Sequence, residues 1–125
     1  MPGEYQKEFS RLVEIIDRLR GPQGCPWDKK QTHVSLKEFL LEESYEVLEA
    51  LDEEDSRKLC QELGDLLLQI VLHARIASEN AEFTLEDVLK NINTKLIRRH
   101  PHIFGDVQVN SAAEVSQNWE AIKKT

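Results

Sequence analysis

Apolar residues recur at helical spacing along most of this chain, and no stretch alternates long enough between apolar and polar residues to predict a strand. The helical pattern is carried by residues 4–20, 35–51, 57–79, 85–99 and 111–124. Clusters of glycine and proline at residues 21–26 and 101–105 are typical of segments between helices. We therefore predict an all-α fold, a four- to five-helix bundle built around an antiparallel helical hairpin.

Polar residues mark where several of these helices begin. Ser35 followed by Glu38 fits a capping box, so we expect a loop over residues 21–34 and a helix from residue 35. Ser111 and Glu114 fit the same pattern at the start of the short last helix, about 111–124. An acidic stretch at residues 52–55 is the expected turn of the hairpin. Further candidate caps are Asp55 or Ser56, and Thr84.

The length and the charge of the chain limit its organisation and its partners. A chain of 125 residues has room for one domain of ordinary size, so we expect a single domain over residues 1–125. Acidic residues outnumber basic ones 23 to 16, which gives a formal net charge of −7. Because nucleic-acid affinity depends mainly on neutralised phosphates, so acidic a chain is a poor general binder of DNA or RNA.

Membrane insertion and secretion are also not expected. No apolar run approaches the roughly 20 residues that a membrane helix needs. The first twenty residues carry charges throughout, so we see no apolar segment typical of a signal peptide. The two cysteines, Cys25 and Cys60, make neither a disulfide framework nor a zinc site. We therefore predict a cytoplasmic protein with no membrane partner.

Four acidic residues form two pairs with matching spacing. Glu43 and Glu46 lie three residues apart in one predicted helix, and Glu62 and Asp65 lie three apart in the next. Residues at that spacing share a helix face, with Cβ atoms about 5–6 Å apart. The two outer acids are equally far in sequence from residue 54, and so are the two inner acids. An antiparallel hairpin that turns there places Glu43 level with Asp65, and the inner acids level with each other.

These acids lie on or beside the apolar faces of their helices. Facing carboxylates repel one another and lose hydration on burial, so a fold retains them chiefly where a cation compensates. Oxygen ligands favour a hard ion such as Mg²⁺ or Mn²⁺. We therefore predict one or two such ions, held by Glu43, Glu46, Glu62 and Asp65. A solvent-exposed acidic face is the alternative, since that is the commoner role of a single Glu-x-x-Glu.

The acidic motif and its surroundings resemble the all-α nucleoside triphosphate pyrophosphohydrolases, specifically the MazG family. The matching segments are Gly24-Cys25-Pro26-Trp27-Asp28, Gln31-Thr32-His33, Leu40-Leu41-Glu42-Glu43, Glu62-Leu63-Gly64-Asp65-Leu66-Leu67, residues 98–105 and residues 119–123. They follow the family's order over nearly the whole chain. The first segment and the Arg-Arg-His-Pro motif are most like the first domain of members with two tandem domains. The chain is therefore either a one-domain member or part of a longer protein.

The resemblance implies an enzyme that hydrolyses nucleoside and deoxynucleoside triphosphates to a monophosphate and pyrophosphate, often to clear noncanonical nucleotides. It implies a Mg²⁺ cofactor and a homodimer or higher homo-oligomer. The family's metal ligands correspond to Glu43, Glu46, Glu62 and Asp65, and with Glu42 as a candidate base these are the expected catalytic residues. The expected substrate-binding residues are Lys58, Lys95, Arg98, Arg99 and Trp119.

Some of these positions have a simpler interpretation. Glu42 is about 100° around the helix from Glu43, so it can equally face water. Lys58 can pair with the acidic turn instead of a phosphate. Trp119 can be a packing residue. Either Arg98 or Arg99 can be purely structural, because a basic residue at the end of a helix interacts favourably with the helix dipole.

Two other functions remain open at the level of sequence. One is a non-enzymatic module, a degenerate domain that dimerises or regulates an active partner domain. The other is a helical metal-storage or redox bundle. Ferritin-like iron sites use Glu-x-x-His pairs, and no glutamate in this chain is followed by histidine three residues later. The iron bundle is therefore the weaker of the two.

Overall fold

The computed structural model describes the backbone of residues 2–123 and the side chains of residues 3–123. Within that range the regular secondary structure is helical, with no strand. The all-α prediction is confirmed. The helices are α1 (Pro2–Leu19), α2 (Pro26–Lys30), α3 (His33–Asp52), α4 (Ser56–Glu79), α5 (Leu85–Arg99), α6 (Pro101–Phe104) and α7 (Ala112–Lys123). The short helices α2 and α6 occupy the two segments rich in glycine and proline that we expected to be irregular. The arrangement of the helices as one bundle stays a prediction.

The described residues fall into two compact units, one ending at Leu85 and one starting at Glu86. In the first unit, α3 and α4 pack against each other, and α4 also packs against α1. The second unit contains α6, α7 and all of α5 after Leu85. The single domain expected over residues 1–125 therefore remains a prediction.

A three-residue turn joins α3 to α4 and creates the antiparallel hairpin. Asp55 is the N-cap of α4, because its carboxylate accepts the backbone N–H of Lys58 at 3.1 Å. Glu54 has φ of 54°, in the left-handed region that reverses the chain at a helix end. The N–H of Asp55 then bonds the carbonyl of Ala50 at 3.2 Å. Of the two candidate caps, the structure selects Asp55.

Helix α3 begins two residues earlier than the sequence predicted. Thr32, not Ser35, is the N-cap, and its hydroxyl accepts the N–H of Ser35 at 3.1 Å. The hydroxyl of Ser35 in return accepts the N–H of Thr32 at 2.8 Å. The expected box between Ser35 and Glu38 is therefore wrong. The capping box instead joins Thr32 and Ser35, and Ser35 takes the place that glutamate usually has in this motif.

The core of the first unit lies between α1, α3 and α4. Its buried side chains come from all three helices: Ile16, Leu36, Val71, Leu72 and Ile76. Phe9, Leu12, Val13, Phe39, Leu68 and Leu85 pack around them. Burial of this apolar surface stabilises the unit and holds the two helices of the hairpin in a fixed register.

Arg20 fixes the segment between α1 and α3. Its side chain is 6 % exposed, and its guanidinium donates to the carbonyls of Asp28 at 2.6 Å and Gln31 at 3.1 Å. The same group pairs with Glu79 at the end of α4, at 2.7 Å. A Cβ at Gly24 would overlap the backbone carbonyl of Leu19, so the tight return of this segment onto α1 requires glycine there.

In the second unit, α7 begins at the predicted cap. The hydroxyl of Ser111 accepts the N–H of Glu114 at 3.3 Å. The carboxylate of Glu114 reaches back to the N–H of Asn110 at 3.0 Å, one residue before the position that a capping box uses. Among the described residues, no helix combines the length and apolar character that crossing a membrane requires.

Candidate functional site

The hairpin brings three of the predicted acids together. Glu43 on α3 and Glu62 and Asp65 on α4 each offer a carboxylate oxygen, and these oxygens lie within 4.8 Å of one another. Glu43 and Glu62 are half-buried, whereas Asp65 is exposed. We refer to these three residues as the acidic cluster. The cluster unites α3 and α4 because the turn centred on Glu54 sets their register.

The acidic cluster is electrostatically unfavourable without a cation. Burial raises the pKa of Glu43 above its ordinary value, and repulsion from Asp65 and then from Glu62 adds to the effect. Burial also raises the pKa of Glu62, and repulsion from Glu46 is the next largest cause. Within residues 3–85, none of the three carboxylates has a basic nitrogen within 4.0 Å.

The donor set fits a hard divalent cation. Mg²⁺ binds oxygen at about 2.0–2.1 Å, so two oxygens on one ion lie at most about 4 Å apart. Small side-chain rotations bring carboxylate oxygens already within 4.8 Å to that separation. Carboxylates without imidazole or thiolate are the ligands that Mg²⁺ and Mn²⁺ prefer. The acidic cluster can therefore hold such an ion.

The other two predicted acids lie at the edge of this cluster. Glu46 is half-buried and outside the group of converging oxygens, although its charge contributes to the raised pKa of Glu62. Glu42 is exposed, and its charge is the smallest of the causes that raise the pKa of Glu43. The structure thus brings the level pair Glu43 and Asp65 into the acidic cluster, whereas Glu46 and Glu42 lie at its edge.

Lys58 lies in the acidic turn. Its ammonium group is 3.2 Å from Glu53 and 3.7 Å from Glu49. The hydrogen bond to Glu53 raises the pKa of Lys58, followed by the charge of Glu49 after a smaller opposing effect of desolvation. Lys58 therefore neighbours acids of its own hairpin, and its part in substrate binding stays a prediction.

The remaining predicted substrate-binding residues belong to the second unit. Lys95 and Arg98 are exposed on α5, and Arg99 and Trp119 are half-buried. The guanidinium carbon of Arg99 lies over the indole ring of Trp119, 5.1 Å from its centroid. The ring of His100 meets the same indole at 71°, with centroids 5.1 Å apart.

The contacts around Trp119 were not predicted from sequence. Arg99 and His100 are about twenty residues from Trp119, and no helical spacing relates α5 to α7. His102 also belongs to this surrounding, since its ring lies 5.5 Å from that of His100. No spacing in the sequence reports such contacts, because they depend on how α6 turns the chain back.

Comparison of the sequence with known proteins gives a family match. Residues 31–104 match the MazG nucleotide pyrophosphohydrolase domain. The chain is 57 % identical over 117 residues to "Uncharacterized protein YabN" of Bacillus subtilis, covering 94 % of this chain and 24 % of that protein. It is 54 % identical over 115 residues to the "Nucleoside triphosphate pyrophosphohydrolase/pyrophosphatase MazG" of Thermotoga maritima, covering 92 % of this chain and 44 % of that protein.

A solved structure agrees with the fold. The crystal structure of a mazG-related protein from Thermotoga maritima matches with a TM-score of 0.77 and 34 % identity, over 93 % of this chain and 99 % of that one. The sequence relatives are longer, since this chain spans less than half the length of the two named above.

Proposed function

Because this chain belongs to the MazG nucleotide pyrophosphohydrolase family, we propose that it hydrolyses nucleoside and deoxynucleoside triphosphates to a monophosphate and pyrophosphate. The observation that supports this most is the acidic cluster of Glu43, Glu62 and Asp65. The longer Thermotoga relative carries the name of this activity. Clearing noncanonical nucleotides in the cytoplasm is the role we propose for it.

Glu43, Glu62 and Asp65 would hold Mg²⁺ or Mn²⁺, with Glu46 adding a fourth carboxylate at the edge of the cluster. A bound divalent ion neutralises phosphate oxygens and lowers the pKa of a bound water. Glu42 is exposed beside Glu43, where a carboxylate can accept a proton from an attacking water. The protein's part is to hold carboxylates in a partly buried, fixed arrangement.

Basic residues of α5 would bind the polyphosphate. Within residues 86–123, no carboxylate lies within 4.0 Å of the basic nitrogens of Lys95, Arg98 or Arg99. Their charges are therefore available to an anionic ligand. Lys58, which already neighbours Glu49 and Glu53, is the weakest of the proposed phosphate-binding residues.

The net charge of −7 is compatible with this substrate. Divalent cations at the acidic cluster would offset its negative charge and present a positive centre to the triphosphate. The basic residues are also grouped at the end of α5 rather than scattered. We therefore propose a single nucleotide as the ligand, not a nucleic acid.

We also propose that the protein is a homodimer or a higher homo-oligomer. Leu41, Tyr45 and Leu48 on α3 and Leu63 and Ile70 on α4 are large apolar side chains between 44 % and 63 % exposed. Exposed apolar groups at helical spacing are typical of surfaces that another protein covers. A second copy of the hairpin is the occupant that would also enclose the acidic cluster.

The decisive experiment is incubation of the protein with a panel of nucleoside triphosphates and Mg²⁺, followed by ion chromatography. We expect pyrophosphate and nucleoside monophosphate in equal amounts. The matched control is the double variant Glu43→Gln/Glu46→Gln, which changes the charge and keeps the side-chain volume. Pyrophosphate no higher than in this control would contradict the proposal and favour a non-enzymatic module. Orthophosphate without pyrophosphate would indicate cleavage at the γ-phosphate instead.

A further inference from the structure

Trp119 has a cation against its ring. The guanidinium carbon of Arg99 lies 5.1 Å from the indole centroid, within the roughly 6 Å over which an aromatic face attracts a cation. Both side chains are half-buried and belong to the second unit. The resemblance to the family led us to expect Trp119 to contact the nucleotide. The contact seen here gives the ring a different neighbour, a side chain proposed to bind phosphate.

Within the second unit, Trp119 is a neighbour that can order the Arg99 side chain. Within residues 86–123 it has no acidic partner, and its buried Nε has no hydrogen-bond partner among the described atoms. A free arginine side chain loses rotamer entropy when it binds an anion, whereas a stacked planar guanidinium is already partly ordered. The indole of Trp119 therefore restricts the directions in which Arg99 can present its N–H groups.

His100 fixes the indole in turn. Its Nδ1 lies 2.7 Å from the carbonyl of Leu96, and because a carbonyl can only accept, Nδ1 is the donor. That bond orients the imidazole, which meets Trp119 with an edge contact at 71°. Arg99, Trp119 and His100 thus form one contiguous set at the end of α5.

We propose that Trp119 is a positioning residue, which orients Arg99 toward the polyphosphate of the substrate instead of stacking on the nucleobase. This inference rests on the proposed function, since it assigns Arg99 to the phosphates of that substrate. It has a clear consequence for specificity. Trp119 contributes equally to the binding of every triphosphate, including one with no base.

The test compares a nucleotide with inorganic tripolyphosphate, which has the phosphates and lacks the base. Binding of each ligand in Mg²⁺ is measured by calorimetry for the parent and for Trp119→Leu, Arg99→Gln and the double variant. We expect Trp119→Leu to weaken both ligands by the same factor, roughly threefold to thirtyfold, the range that a cation–π contact supplies. We expect the double variant to bind no worse than Arg99→Gln, and Trp119→Phe to restore much of the affinity. Trp27→Leu, in the other unit, is the matched control.

Base stacking gives the opposite pattern. If Trp119→Leu weakens nucleotide binding and leaves tripolyphosphate binding unchanged, the positioning role is wrong. Losses that add up in the double variant would contradict it as well, because independent contacts add. Failure of the parent to bind tripolyphosphate would also overturn it. If tripolyphosphate binds as expected but no triphosphate yields pyrophosphate, then the proposed hydrolysis fails and the positioning role stands.

A second measurement avoids any change at Trp119. The chain has two tryptophans, so in a Trp27→Phe variant the fluorescence comes from Trp119 alone. We expect saturating tripolyphosphate and saturating nucleotide to change the emission of Trp119 equally, through movement of Arg99. The change should disappear in Trp27→Phe/Arg99→Gln. Quenching by nucleotide alone would show a base stacked on the ring and would overturn the proposal.

Discussion

The Nδ1 atoms of His33, at the start of α3, and His73, in the C-terminal half of α4, lie 2.8 Å apart, and the two rings are nearly parallel at 4°. Two imidazole nitrogens at that distance share one proton, because one must donate and the other accept. The Nε2 atom of His73 is buried and has no hydrogen-bond partner among the described atoms. Burial lowers the pKa of His73, and the neighbouring His33 lowers it further.

This pair predicts a loss of stability in mild acid. The unfolded chain binds a proton on His73 near its ordinary pKa of 6.5, while the folded chain resists protonation. The contribution is therefore fully present above about pH 6.5 and is lost as the pH falls below that value. Urea unfolding at pH 7.5 and pH 5.5 measures it, and His73→Gln should show a smaller difference between the two. An equal difference in parent and variant would contradict the prediction.

The ion pair of Arg20 and Glu79 stabilises the fold at neutral pH. The hydrogen bond from Arg20 lowers the pKa of Glu79, with the charges of Arg20 and Arg75 also lowering it against the effect of burial. A carboxylate with a depressed pKa stabilises the fold above its unfolded value of about 4.5, and this stability is lost as the pH falls through the folded value.

Replacing Arg20 removes more than this ion pair. Arg20→Met leaves the carbonyls of Asp28 and Gln31 without the guanidinium that bonds them, so we expect the free energy of unfolding to fall by about 2 kcal/mol. Arg18→Met is the control, since Arg18 is exposed two residues earlier, at the end of α1, and forms no ion pair within the described residues. Equal losses in the two variants would refute the role of the buried guanidinium.

Several features of the hairpin followed from the sequence. Equal distances from residue 54 predicted that Glu43 and Asp65 lie level, and the structure brings their carboxylates into one cluster with Glu62. Helical periodicity predicted α3 and α4 because their long apolar faces leave few alternatives. The predicted start of α3 was wrong because both Thr32 and Ser35 are suitable N-cap residues. The reciprocal hydrogen bonds between them select Thr32, and no sequence spacing reveals those bonds.

Features that depend on contacts between distant residues could not be predicted. His33 and His73 are forty positions apart, and Arg99 and Trp119 are twenty apart, so only the packing brings each pair together. The position of Lys58 was ambiguous for a different reason. A lysine near an acidic turn can reach either the turn or a phosphate, and the spacing in the sequence does not distinguish the two, although Lys58 lies 3.2 Å from Glu53 in the structure. The functional roles of the predicted site residues stay predictions.

The acidic cluster predicts opposite effects of one substitution with and without metal. In the absence of divalent ions, Glu43→Gln should raise the melting temperature, because it removes a carboxylate whose pKa is raised by burial and by Asp65. With Mg²⁺ the parent should gain stability as an ion binds the folded state, and the variant should gain little. Differential scanning fluorimetry with and without chelator tests this. Glu38→Gln, exposed on the same helix, is the control, and equal Mg²⁺ effects in all three proteins would exclude the cluster as the metal site.

Activity should distinguish the residues of the cluster from those at its edge. We expect Asp65→Asn to lower kcat/KM by more than the roughly 10- to 100-fold that loss of a group supporting a metal ligand costs, since it removes a proposed ligand itself. Glu46→Gln should have a smaller effect, because its carboxylate lies outside the converging oxygens. Glu42→Gln distinguishes two roles for Glu42. If Glu42 is the general base, the substitution should cause a large loss of kcat with little change in Mg²⁺ dependence; if Glu42 only faces solvent, kcat should hardly change. Pyrophosphate release over a Mg²⁺ titration measures all three, and an unchanged rate in Asp65→Asn would contradict the proposed site.

The exposed apolar face of the hairpin predicts that a charge placed on it will dissociate the proposed homo-oligomer. Leu41, Tyr45 and Leu48 follow one another at spacings of four and three on α3, and Leu48 is 53 % exposed. In a symmetric dimer, Leu48→Glu would bury two carboxylates without partners, so we expect a monomer at concentrations where the parent is a dimer. Light scattering after size-exclusion chromatography gives the mass. Ile103→Glu, on a residue 66 % exposed in the other unit, is the matched control and should leave the mass unchanged. A monomeric parent, or a dimer that tolerates Leu48→Glu, would show that this face is not the contact between copies.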